Sequence, residues 1–241
     1  MGLFRNQSEY DRTRIIDAAA RARVKKKRAR AIELYRWVLA VEPQNGEIHA
    51  KLAPLLAQAG QPFDAWSSFK ATARICLREG HPDQALAVYR DAALLLPREP
   101  QAWLAVARLQ HKRGVSADAV ETLLEGSRQL RSRPLRPQAI HLLRRAREVD
   151  AWSFEVVLEL ARLLASTRQL HEARLLLDGL TQRSSGERLR RVRAAQLRLF
   201  PGPTTAWRWL RTVFQGHSEA AQEPARPSGV VPLRKPAARQ R

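Results

Sequence analysis

Basic residues fall at helical spacing in two places near the middle of the chain. Lys70, Arg74 and Arg78 stand at i, i+4 and i+8, and Arg108 and Lys112 at i, i+4, so each set lines one face of a helix. Guanidinium groups hold carboxylates through paired, charge-assisted hydrogen bonds, and rows of them suit an acidic or carboxylate-rich segment. Bond-making chemistry has little support. His49, His81, His111, His141, His171 and His217 are isolated, with no HxxxH pair and no cluster of metal-ligand spacing. No glycine-rich phosphate loop occurs, and the single cysteine, Cys76, falls at a helix-packing position, where it reads as a small core residue and not a nucleophile. The sequence therefore points to binding without catalysis and implies no metal or cofactor.

Charge widens the choice of partner. Lysine and arginine total 43 against 23 acidic residues, a formal charge of +20. Residues 1–60 carry +6, 61–130 carry +1, 131–200 carry +8 and 201–241 carry +5, so both ends are basic around a balanced middle. Such a field draws nucleic acid, anionic lipid or acidic protein without choosing among them. The run VKKKRAR at 24–30 reads either as a nucleic-acid or nuclear-localisation patch or as a solvated turn ahead of the next helix. One cysteine forms no intrachain disulfide, the opening segment lacks the apolar stretch of a signal peptide, and no apolar run of about 18 residues is present to span a bilayer. Gly2 invites a myristoylation reading, but Asn6 stands where that motif wants Ser or Thr. A cytoplasmic location is expected.

The elements that must position the basic rows are helices in a repeat. Ala31, Ala65, Ala85, Ala119, Ala139 and Ala173 follow one another at steps of 34, 20, 34, 20 and 34, each with a large side chain four residues on: Tyr35, Phe69, Tyr89, Leu123, Leu143 and Leu177. A small site and a bulky knob at i, i+4 share one helix face, so the same packing device recurs six times. The difference between the two steps, 14 residues, is about one helix at 1.5 Å per residue. Residues 62–78 and 117–131 are thus each expected to serve as the second helix of one repeat and the first of the next. Phe69 would then pack on both sides, and the higher-order period would be 54 residues and three helices, in units 31–84, 85–138 and 139–183. Pro62 and Pro82 stand at helix starts, Gly60, Gly80 and Gly114 at helix ends, and Pro134 and Pro137 before the last unit.

The stretches ALAVYRDAALLLP (85–97) and AIELYRWVLAVEP (31–43), with Trp103, Val106, Ala107 and Gly114 downstream, resemble the tetratricopeptide repeat family, a 34-residue helix–turn–helix. Gln110 departs from it, standing where an aromatic is usual. The resemblance implies an all-α solenoid, a right-handed superhelix of antiparallel helices, that acts as a protein-binding adaptor or scaffold. The family's inward-facing ninth position falls on Pro54, Arg74, Arg108, Arg128 and Arg162, four of the five being arginine. Its lysine and asparagine carboxylate clamp is not carried over, since the only asparagines are Asn6 and Asn45. The expected partner-binding residues are Lys70, Arg74, Arg78, Arg108, Lys112, Arg128 and Arg162, facing an acidic protein segment. Binding of nucleic acid or an anionic membrane through the basic flanks is the alternative.

The expected organisation is a leader over 1–11, the repeat array over 12–183, capping helices over 184–215 and a disordered basic tail over 216–241. GERLRRVRAAQLRL (186–199) reads as one helix with arginines on its outer side. After a break at PGP (201–203), TTAWRWLRTVF (204–214) reads as a short amphipathic helix whose Trp207, Leu210 and Phe214 would cover the end of the array, as a solenoid's last repeat requires. Its Trp and Arg also suit a membrane interface.

Overall fold

The computed structural model describes residues 11–220, with side chains to 214, and every regular element among them is helical. The helices are α1 (Arg12–Val24), α2 (Arg28–Val41), α3 (Gly46–Gln58), α4 (Pro62–Arg78), α5 (Pro82–Leu95), α6 (Pro100–Lys112), α7 (Ser116–Gln129), α8 (Arg136–Val149), α9 (Phe154–Ser166), α10 (Leu170–Arg183), α11 (Gly186–Leu199) and α12 (Pro203–Ala220). Two compact units divide the chain, Met1–Leu180 and Thr181–Arg241. The leader expected over 1–11 and the tail expected over 216–241 lie outside the described residues, apart from Asp11, which caps α1, and the last turn of α12.

The first unit is a solenoid in which each helix from α1 to α8 packs on the next. Its helices start at 28, 82 and 136, at 46, 100 and 154, and at 62, 116 and 170, three series each with a spacing of 54 residues. Contacts to the next helix but one include α3 with α5 and, one period on, α6 with α8. The small–large pairs explain why. All six alanines, Ala31, Ala65, Ala85, Ala119, Ala139 and Ala173, have 0% exposure, and Tyr35, Phe69, Tyr89, Leu123, Leu143 and Leu177 are buried beside them. A methyl side chain lets two helix axes approach, and the bulky residue one turn on fills the space that the approach leaves. α4 packs on α3 and on α5, with Phe69 buried in it, so one helix does serve two neighbours.

Turns of one design separate the helices. Gly60, Gly80 and Gly114 have φ of +73°, +80° and +80°, and Lys26 and Arg168 adopt the same left-handed conformation at 56° and 65°. In each case the next residue's N–H reaches back to a carbonyl of the preceding helix: Lys27 to Ala22, Gln61 to Leu56, His81 to Cys76, Val115 to Gln110 and Gln169 to Leu164. This closes the helix end with the 6→1 hydrogen bond that a left-handed residue makes accessible. The period places these turns at 26 and 80 and at 60, 114 and 168. The position after 80 in the first series is occupied by Pro134, whose ring fixes a negative φ. There α7 stops at Gln129, and a 3-10 turn, Arg133–Leu135, carries the chain into α8.

Caps follow ordinary rules. Asn45 Oδ1 accepts the Ile48 N–H at 3.1 Å, while the Asn45 amide donates to Glu42 at 2.7 Å, so the one asparagine in the array is committed to starting α3. Arg36 of α2 pairs with Asp64 of α4, and Arg144 of α8 pairs with Glu172 of α10, two ion pairs at equivalent positions of the first and third units.

The approach of α6 to α7 is tight enough to test. A methyl group on Gly126 would lie 2.6 Å from Cγ and 2.8 Å from Cδ2 of Trp103, whose indole N–H donates to the Pro97 carbonyl at 3.1 Å. Gly126→Ala should lower stability by about 1 kcal/mol or more in denaturant titration, overpacking outweighing the helix-propensity gain. Adding Trp103→Leu should leave the pair clearly less destabilised than the sum of the single changes. Arg168→Gly should act in the opposite direction, raising stability by about 0.5–1 kcal/mol through relief of the left-handed backbone.

Candidate functional site

The site is built where α4, α5 and α6 meet. Tyr89 of α5 is buried, and its ring lies 5.9 Å from that of Trp66 on α4, tilted by 44°. Lys70, one turn on from Trp66, places its ammonium 5.5 Å from the Trp66 ring centre, a cation–π distance. Burial pushes the Tyr89 phenol above the ordinary tyrosine value, and the positive charges of Arg74 and Arg108 pull it partway back. Two arginines from different helices, α4 and α6, thus bear on one tyrosine of α5 that lies between them in sequence. Both are exposed, so the guanidinium groups remain available to a ligand.

Two hollows flank this point. Pro43 and Gln44 from the α2–α3 turn, with Ala71, Arg74, Ile75 and Arg78 of α4, line a space of about 310 Å³. Arg78 Nη1 donates to Gln44 Oε1 at 3.2 Å. A smaller space of about 170 Å³ is lined by Arg108 and His111 of α6, Leu123 of α7, and Arg145 and Glu148 of α8, among others. Arg145 and Glu148 pair at 2.6 Å. Each hollow combines aliphatic walls with charged or amide groups, a setting that accepts a side chain with an apolar stem and an anionic tip.

The expected binding residues divide into groups. Arg74 and Arg78 share the larger hollow, Arg108 lies in the smaller one, and Lys70 sits on the Trp66 ring. Arg128 is tied to Glu125 at 3.3 Å and Arg162 to Glu159 at 3.3 Å, each on its own helix, and Glu159 also holds Arg131 at 3.1 Å. Lys112 is exposed at the last turn of α6 and lines neither hollow. In the sequence Tyr89 reads as packing alone, and Gln44, Arg145 and Glu148 do not stand out. For Tyr89 a signal exists, because a buried tyrosine carries a hydroxyl that needs a polar neighbour where phenylalanine would not. For the other three there is none, since a helix-surface Arg–Glu pair and a turn glutamine are common everywhere.

Residues 66–109 match the tetratricopeptide repeat model, from Trp66 in α4 to Leu109 in α6. That stretch contains Lys70, Arg74, Arg78 and Arg108. Among solved structures, a putative kinesin light chain of Podosopora anserina with nearly identical TPR-like repeats is 18% identical, covers 79% of this chain and 97% of its own, and has a TM-score of 0.37. A thermophilic TPR protein of Thermus thermophilus is 15% identical over 88% of this chain and 92% of its own at 0.33. A tetratricopeptide repeat protein from Parabacteroides merdae is 12% identical over 87% and 94% at 0.32. No curated protein matches the chain.

The convergence on Tyr89 has a spectroscopic consequence. A phenol raised above its unfolded value of 10.0 favours the neutral form, so its contribution to stability is whole below that pH and declines as pH rises through the folded value. In a phenolate absorbance titration, read as the difference between wild type and Tyr89→Phe, Tyr89 should ionise above the ordinary value. Arg74→Ser and Arg108→Ser should each move it higher still, because each removes a charge that favours the phenolate.

Proposed function

Residues 66–109 being a tetratricopeptide repeat, we propose that the chain is a non-catalytic adaptor that holds an acidic segment of a partner protein along α4 to α6. Tetratricopeptide repeats generally mediate protein–protein interaction, and scaffolds of this family are generally without catalytic activity. What supports the acidic partner is that Arg74 of α4 and Arg108 of α6 are both exposed and both line hollows, Arg74 together with Arg78 in the larger one and Arg108 in the smaller. Each exposed guanidinium offers a bidentate carboxylate site, and the aliphatic walls of the hollows take the stems of the residues that carry those carboxylates. Arg128 and Arg162 act further along the array, where a ligand carboxylate replaces or shares the Glu125 and Glu159 pairings. Lys112 adds field at the rim.

The single, half-buried Cys76 fits a reducing, cytoplasmic setting. Among the described residues no helix is long and apolar enough to cross a membrane.

The test is a pair of charge-matched variants titrated with a fluorescein-labelled peptide in which Glu and Leu alternate. One changes Arg74, Arg78 and Arg108 to Ser; the other changes Arg234, Lys235 and Arg239 to Ser. The first should lose about ten-fold or more in affinity, since charge-assisted hydrogen bonds are worth about 1.5–3 kcal/mol each, with helicity unchanged. The second should lose only the small, salt-dependent part that long-range attraction supplies. Equal losses would replace the groove with diffuse polyanion binding.

A further inference from the structure

The second unit shows a different kind of surface. In α12, Trp207, Leu210 and Phe214 stand at i, i+3 and i+7 on one side of the helix, with exposures of 68%, 39% and 72%. These are the side chains expected to cover the end of the array. Ala206, Trp209 and Val213 are half-buried, and α11 packs against α12. An indole and a phenyl ring so exposed, one helical turn either side of Leu210, form a continuous apolar edge. Arg211 follows Trp207 by one turn and borders that edge, and Arg208 lies further round; both are exposed. Across residues 181–214 there are eight arginines and a single acid, Glu187. Arg226, Arg234, Lys235, Arg239 and Arg241 follow in the sequence, against Glu219 and Glu223.

We propose that this edge of α12 docks on an anionic phospholipid surface, independently of the groove in the first unit. An amphipathic helix with Trp, Leu and Phe on one side and arginine at its border lies in the plane of a bilayer, its rings at the boundary of headgroups and acyl chains. Tryptophan and phenylalanine gain by leaving water there, and the guanidinium groups of Arg208 and Arg211 meet lipid phosphates at the depth where those rings end. The wider arginine surplus adds long-range attraction to a negatively charged leaflet, about 1 kcal/mol for each basic residue near the surface. Charge also decides against the other occupants. A second copy of this unit would set one arginine-rich surface against another, and a neutral apolar partner would offer no charge to Arg208 and Arg211 beside the edge. A single-stranded nucleic acid answers the charge and stacks on Trp207, but it makes no use of Leu210.

The full chain is sedimented with phosphatidylcholine vesicles and with vesicles containing about one-third phosphatidylglycerol, at a salt concentration near 0.1 M, where the Debye length is about 10 Å. Binding is expected to the anionic vesicles and not to the neutral ones. Trp207→Ser with Phe214→Ser should weaken it by about ten-fold or more, since each ring loses an apolar burial worth a factor of that order. Trp207→Ser alone should show part of the same loss. Both variants alter exposed side chains, so helicity and the melting transition should stay as in wild type. Arg208→Gln with Arg211→Gln should weaken binding several-fold, and Arg74→Ser with Arg108→Ser should leave it unchanged. The proposal is overturned if the anionic vesicles sediment without the protein. It is equally overturned if the Trp207, Phe214 variant binds as wild type does, which would reduce the interaction to diffuse charge, or if an oligothymidylate binds through Trp207 while vesicles do not.

Discussion

Helices approach closely only where one of them offers no side chain to keep the other away. In this chain that condition is met by six alanines with 0% exposure, and the buried large residue one turn beyond each alanine supplies the apolar area that the approach makes available. The two requirements are coupled. A larger residue at the alanine would push the helices apart and strand its bulky neighbour, and a small residue at the bulky position would leave a cavity. The helix order, the turn positions and the spacing of surface residues all follow from satisfying this condition at regular intervals, because each satisfied pair fixes how far along the chain the next helix must begin.

The pairs recur at alternating steps of 34 and 20 residues, and every helix from α2 to α8, α4 and α7 among them, packs on both of its neighbours. A helix with two packed faces has a narrower strip for solvent. In α4 that strip carries Lys70, Arg74 and Arg78, and the buried faces hold Phe69, Thr72 and Ala73 between them. The basic row is therefore confined by packing to one line, and Arg108 on α6 lies close enough for its charge to act, with that of Arg74, on the Tyr89 phenol of the intervening α5. The site follows from the packing register; no loop of special conformation builds it.

What was legible in the sequence is what repeats. The alanine steps carry the helix order and the 54-residue period, and glycine marks three of the left-handed turns. Lys26 and Arg168 bear no such mark, because neither residue type signals a left-handed backbone, although the period itself points to both positions. Arg128 and Arg162 share the register of Arg74 and Arg108, yet they differ in having a glutamate three residues earlier on the same helix. Periodicity reports which face a residue occupies. It does not report the neighbour on that face, and for an exposed ion that neighbour decides how much of its charge is left for a ligand. The same limit hides Arg145 and Glu148, which reach the smaller hollow only once α8 has come alongside α6.

Beyond α10 the rule changes. The helix after it begins at Gly186 and the next at Pro203, off the 54-residue series, and only Val192, Ala195 and Gln196 of α11 are buried. Charge changes at the same place. Residues 61–130 are nearly balanced, and some of their arginines find acids on their own or adjacent helices, as Arg113 does with Asp83 and Arg128 with Glu125. Residues 181–214 offer Glu187 alone to eight arginines. One acid, paired with Arg190, cannot cancel the formal charge of eight arginines, so the segment keeps a net positive field that draws polyanions. An apolar edge on the same segment makes a dissolved polyanion a poorer match than one that also offers a non-aqueous phase. The coexistence of unbalanced charge and exposed rings within one short stretch is thus the physical reason for separating what α12 does from what the array does.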